Sequence, residues 1–328
     1  MVSDDGHLYC LSAASGRLVW KFNGAPRERR VLGNGRLIST WPARGAPVVA
    51  DGTVYFSAGI WPFMGVFIYA VDARTGQVKW TNNEAGMRWM LQPHHSPAFA
   101  GVAPQGYMVV TGDRLLVPGG RSVPACLDRR TGKLLYYPLS DYGKVGAFDV
   151  SAGKTFFSNS YMVFNLENGR GSFTRNLWGS RQPPACIVDG EVIYSGNHYE
   201  GELRAHAVRI AEVEDLLGRM VRKPVLETLW SVRTGGKVHI KAGSRIYAGG
   251  EGFVKAVDVP KVGDEVPRVS WEAKIEGTVG SLVAADGKLF VSTREGLIYC
   301  FGTKGVRPTT LSRRKGVFVK TPWTARAR

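Results

Sequence analysis

Tyr69-Ala70-Val71-Asp72-Ala73-Arg74-Thr75-Gly76-Gln77-Val78-Lys79-Trp80 reads as a strand, a tight turn and a second strand. The apolar residues alternate before and after Thr75-Gly76, the two-residue period of a strand. Gly76 supplies the positive φ that a tight turn needs, and Asp72 is placed to accept hydrogen bonds from the turn backbone. Trp80 ends the second strand with an indole large enough to span an interface between sheets. Degenerate copies of this stretch run through the whole chain, so it is read as a repeat array.

Working outward, the first unit holds Leu8-Tyr9-Cys10, a Ser15-Gly16 turn and Trp20. The second runs from Ala46-Pro47-Val48 through Thr53-Val54-Tyr55-Phe56 to Trp80, as four short strands. The third ends in Asp128, Thr131, Gly132 and Tyr136. The fourth is worn, with Asn168-Gly169 and Phe173 in the corresponding places. The fifth closes at Leu229-Trp230, the sixth at Ser270-Trp271, and the seventh stops after Ile298-Tyr299-Cys300 without a fourth strand. Within the fifth, Ile210, Val213, Leu216, Leu217 and Met220 recur at helical spacing and predict a short amphipathic helix over 209–221.

Four antiparallel strands per unit of about 40 residues define a propeller blade. The expected fold is all-β: a β-propeller over residues 1–302 with about seven four-stranded units, the first and last incomplete. The complete ring would have seven or eight blades, and the strands missing from the first unit would lie upstream of Met1. The high glycine count, 41 of 328 residues, fits the many turns such a chain needs. Incomplete end units leave apolar edges open, so Tyr9, Leu11, Val19 and Trp20 are expected to be less covered than Tyr69, Val71, Val78 and Trp80.

The motif residues Ala70, Asp72, Thr75, Gly76 and Trp80 match the tryptophan-docking signature of the pyrroloquinoline-quinone-type, or quinoprotein-like, propeller repeats. Gly16 and Trp20, and Asp128, Thr131 and Gly132, match it in part. Asp258 and Trp271 keep two of its positions around a longer loop. The chain therefore resembles that family over roughly residues 3–302. The WD-repeat pattern fits less well, with no Trp-Asp pair closing the units and no Gly-His pair opening them.

The resemblance implies one of two functions. Quinone-dependent dehydrogenases of the family carry calcium, a catalytic Asp and usually adjacent cysteines beside the cofactor. Here Cys10, Cys126, Cys186 and Cys300 stand far apart in sequence, and no matching Glu, Asn and Asp set is found. Pyrroloquinoline quinone with calcium stays the alternative, and no cofactor is expected. The non-catalytic branch, which resembles the propeller lipoprotein of the outer-membrane barrel assembly complex, implies a bacterial binding scaffold with a protein partner and a periplasmic or cell-envelope location. The start of the chain lacks the basic and apolar regions of a signal peptide.

Loops between second and third strands lie on the same face as the links between blades. That face brings together Trp61, Phe63, Arg88, Trp89, His94, His95, Arg121, His198 and Tyr199. Exposed aromatics beside Arg and His are common at protein interfaces. Adjacent His94 and His95 would point to opposite sides of a strand, so no metal site is expected. The net charge is +16, half of it in the tail at 303–328, which carries eight Lys or Arg and no acid. That segment reads as a basic tail or linker, nucleic acid is an unlikely partner, and the chain is expected to be monomeric.

Overall fold

Successive side chains of a strand point to opposite faces, and in this protein each face meets a different neighbouring sheet. The computed structural model describes all residues except 34, 93–94, 120–121, 140–148, 160–162, 172–184, 198–200, 215–217, 261–265, 303–308 and 312–328. In the second unit Val48–Ala50, Thr53–Ala58, Phe67–Asp72 and Val78–Asn82 pair in chain order as one antiparallel sheet. The third repeats this with Val109–Thr111, Arg114–Val117, Ala125–Asp128 and Leu134–Tyr136. The first shows two strands, His7–Leu11 and Leu18–Asn23, and the fourth shows three. The sixth and seventh form one six-stranded sheet, because Arg268–Ala285 runs on from the outer position of one to the inner position of the other. Among the described residues the one helical element is the 3-10 turn Pro62–Met64.

The alternation distributes the core as thin layers between sheets. Tyr55 and Leu115 meet between the second and third units, while their neighbours Phe56 and Leu116 face the first and fourth. Three further layers follow, around Val163 and Ile193, around Leu203 and Ile246, and around Val254 and Val291. Phe56, Phe157, Leu115 and Ile193 are almost fully buried in these layers, each contributing about 1.5–3 kcal/mol over the exposed state. Coverage is thinner at the first unit: Leu11 is 42% exposed, whereas its counterpart Val71 is 0% exposed.

The docking motif ties one sheet to the next. Trp20 Nε1 donates to the Ala73 carbonyl at 3.2 Å, Trp80 Nε1 to Arg129 at 2.9 Å, and the Tyr136 hydroxyl to Leu166 at 2.7 Å. Each acceptor directly follows Asp72, Asp128 or Asn165, the residue that shapes its turn. Asp72 Oδ1 accepts from the backbone N–H of Arg74 and Thr75, both at 3.0 Å, and Asp128 does the same for Arg130 and Thr131. The ring then lies flat on the turn glycine. A Cβ on Gly76 would sit 2.8 Å from the Trp20 ring, on Gly132 2.5 Å from Trp80, and on Gly169 2.7 Å from Tyr136.

The helix expected over 209–221 is replaced by a β-ribbon. Glu202–Glu214 and Met220–Arg233 pair antiparallel out to Glu214 opposite Met220, and Leu216 and Leu217 lie outside the described residues. A helix this short is marginal in water, whereas extended backbone lengthens a ladder that already exists. Ile210 opposite Pro224, Val213 opposite Val221 and the Arg209–Glu227 pair at 2.9 Å continue it.

Gly132→Ala should lower stability, measured by urea unfolding, by about 1–2 kcal/mol more than Gly16→Ala. Both glycines have φ near +70° and share the strain of a side chain there, but nothing lies within 4 Å of a Cβ at Gly16. Equal losses would contradict ring-on-glycine docking.

Hydrogen bonds from Thr75 and Arg74 hold the Asp72 carboxyl below its ordinary range. At Asp128 desolvation acts upward, but the Thr131 and Arg130 hydrogen bonds outweigh it and the pKa also falls. With folded values lowered, their stabilisation is present above the unfolded value near 3.8 and is lost as pH falls through the folded ones. Asp128→Asn is therefore expected to flatten the loss of stability measured by unfolding below about pH 4. An unchanged acid limb would argue against the carboxylate's role.

Candidate functional site

The four-stranded order puts the docking turns on one face of the propeller. On that face Asp51 pairs with Arg129, Asp113 with Arg130, Asp189 with Lys241 and Asp258 with Arg245.

The opposite face carries the links between units, and two of these are built as hairpins. In the first link Arg30–Gly33 pairs with Arg36–Ser39, setting Leu32 opposite Leu37 and Val31 opposite Ile38. Ile38 is buried, while Leu32 and Leu37 are 79% and 66% exposed. In the second link Trp89–Leu91 pairs with Pro97–Phe99. Met90 and Ala98 are half-buried on one side of this ribbon. The other side presents Trp89, Leu91, Pro97 and Phe99 to solvent, with Trp89 63% exposed and its ring edge-on to Phe99 at 5.0 Å.

Between the hairpins lies the loop of the 3-10 turn, where Trp61 and Phe63 stack at 6.2 Å, 56% and 66% exposed. Three anchors tie these loops to the propeller. Trp41 is buried and its Nε1 donates to the Met64 carbonyl at 2.8 Å, with the Arg27 guanidinium 5.8 Å above the ring. Val102 N–H donates to Ala85 at 2.9 Å, closing the base of the second hairpin. Gly86 presses on Val66, where an added Cβ would come within 2.8 Å. A ribbon that half-buries Met90 and Ala98 and leaves Trp89, Leu91 and Phe99 more than half exposed gains little folding energy from the exposed three. A contiguous exposed apolar patch of this kind marks an interaction surface.

Of the residues singled out from sequence, Trp61, Phe63, Arg88, Trp89 and His95 stand exposed on this face. Trp61 and Phe63 are brought together, whereas Trp89 partners Phe99. His94, Arg121, His198 and Tyr199 lie outside the described residues. The sequence reading missed Leu32, Leu37, Leu91 and Phe99. Asn34-Gly35 between Arg30–Gly33 and Arg36–Ser39 is a strong hairpin signal that would have found the first pair.

Two motif positions behave differently from the rest. Asp258 does not shape a tight turn but accepts from Arg245 Nε at 2.9 Å and Ser270 Oγ at 2.8 Å. Trp271 meets Phe301 edge-on at 5.1 Å.

Other chemistry-bearing groups lie away from this face. Ser195 Oγ lies 3.0 Å from His206 Nε2, with Thr228 Oγ1 3.2 Å from Nδ1, and both Ser195 and His206 are buried. Desolvation pushes the His206 pKa down to about 4, so the ring stays neutral. A cavity of about 480 Å³ between the third and fourth units is lined by Asp113, Arg114, Lys154, Thr155 and Glu167, without an aromatic ring. Among the described residues no three His, Cys, Asp or Glu side chains cluster to hold a cation, and Cys10, Cys126 and Cys300 are separate thiols.

The architecture defines a β-propeller of quinoprotein-type repeats. The chain matches the profile of the family described as outer membrane protein assembly factor BamB, over residues 1–205 and again over 64–304, and belongs to that family. The WD40 β-propeller domain of Doa1 superposes with a TM-score of 0.54 at 12% identity, over 93% of this chain and 88% of that one. BamB from Moraxella catarrhalis gives 0.49 at 13% identity over 92% of both chains. The dehydrogenase subunit of a quinone alcohol dehydrogenase from Gluconacetobacter polyoxogenes is 40% identical over 77 residues, or 23% of this chain. That match spans about a tenth of the length of the relative, 10%. Among the described residues no helix is long and apolar enough to cross a membrane.

Trp89→Ala and Phe99→Ala are expected to change unfolding free energy by less than about 1 kcal/mol each, whereas Trp41→Ala should cost about 3–5 kcal/mol. A loss of that size at Trp89 would show that the ribbon serves folding.

Proposed function

We propose that this chain is a non-catalytic propeller that binds a protein partner, as a monomer, through the face carrying the two hairpins and the Trp61–Phe63 loop. The observation that carries this reading is the solvent-facing row Trp89, Leu91, Pro97 and Phe99 on a ribbon anchored to the propeller core. Membership of the assembly-factor family supports it, and with it a location in the cell envelope. The test is site-specific photocrosslinking in cells. A crosslinker in place of Leu91 should give adducts with one discrete protein, and a crosslinker in place of Gln77, on the docking-turn face, should not. Identical adducts at both positions, or none at Leu91, would contradict the reading.

The local match to a dehydrogenase subunit favours a second reading, a quinone-dependent oxidoreductase. The purified chain supplied with calcium, pyrroloquinoline quinone, an alcohol and an artificial electron acceptor is expected to show no turnover above a blank. Quinone-dependent turnover would reverse the order of the two readings.

A further inference from the structure

The binding face has a charge as well as an apolar pattern, and this sets the chemistry of its partner. Residues 85–112 contain no Asp or Glu and include Arg88, His94 and His95. The first link, 24–47, has Arg27, Arg29, Arg30, Arg36 and Arg44 against Glu28 alone. Asp4 holds Arg36 and Arg44, the latter at 3.1 Å, and Arg27 covers Trp41. Arg29, Arg30 and Arg88 are exposed and form no ion pair among the described residues. On the docking-turn face, by contrast, Arg129 and Arg130 are paired with Asp51 and Asp113.

Resting on the binding-face reading above, we propose that the partner presents an extended segment in which apolar side chains are flanked by Asp or Glu. The apolar positions would meet the Trp89–Phe99 row and the Leu32–Leu37 pair, and the acids would meet Arg29, Arg30 and Arg88. Opposite charge across an interface steers encounter and fixes register. An anionic membrane offers the same charge but suits the site less. Each hairpin is a two-stranded sheet with outer backbone groups outside the ladder, and hydrocarbon leaves such groups without hydrogen-bond partners.

The test is selection of displayed random dodecapeptides on the immobilised full chain at about 0.1 M salt, where charges beyond roughly 10 Å are screened. The enriched pool is expected to combine Leu, Ile or aromatic residues with Asp and Glu, and to be depleted in Lys and Arg. Selected peptides should bind at least about tenfold more weakly to Trp89→Ala/Phe99→Ala. Their preference over Lys-substituted copies should drop at least about tenfold on Arg29→Glu/Arg30→Glu/Arg88→Glu, each tenfold being one 1.4 kcal/mol step. Peptides that need Trp89 and Phe99 but carry no acids would overturn the charge inference and leave the binding face standing. A pool insensitive to Trp89 and Phe99 would overturn both. Two further arms use the same variants: cosedimentation with phosphatidylglycerol vesicles, or self-association in the ultracentrifuge, abolished by Trp89→Ala/Phe99→Ala, would replace the peptide partner by a membrane or a second copy.

Discussion

An aromatic ring lying on a glycine ties each of the first three units of this protein to the next. The sheets of the first four units are antiparallel and short, and their internal ladders say nothing about where the next sheet sits. The indole of Trp80 supplies that information: it donates to the Arg129 carbonyl of the following unit and covers Gly132. The turn receives the ring only because Asp128 gathers its N–H groups, which leaves the carbonyl of Arg129 pointing outward. One hydrogen bond contributes about 1 kcal/mol, and the covered ring adds its burial. Repeated at Trp20 and Tyr136, the contact sets the spacing at which the thin apolar layers between sheets fill.

This arrangement also separates stability from recognition. Docking turns occupy one face, where Arg129 and Arg130 are paired with Asp51 and Asp113. The links on the other face are free to vary in length as long as their bases are fixed. Trp41, Ala85 and Val102 fix them, and the hairpins beyond are left with apolar side chains that no part of the described chain covers. The long ribbon of the fifth unit follows the same economy, growing outward from an existing sheet.

The repeat was legible because its signals are local. Asp72 and Gly76 act within one turn, and Trp80 stands four residues later, so a single stretch specifies both the turn that receives Trp20 of the preceding unit and the ring that docks on the turn of the following one. The helix expected over 209–221 failed for a related reason. Ile210 and Val213 satisfy a helical spacing, yet the deciding factor was a neighbouring strand, Met220–Arg233, that extends the ladder at little cost. At the binding face, Trp61 and Trp89 were visible as unusual loop aromatics. Leu91 and Phe99 were not, because their exposure depends on which side of the ribbon faces the propeller. Two-residue alternation gives two sides without saying which is inward, and Met90 and Ala98 took the inner one.

The most direct test of this account is a double-mutant cycle between Trp80→Leu and Asp128→Ala, read by urea unfolding. If the turn exists to receive the ring, removing either should forfeit part of the other's contribution, with a coupling of about 1 kcal/mol or more. Additive losses within about 0.3 kcal/mol, the behaviour of independent sites, would contradict the claim that ring and turn act as one unit.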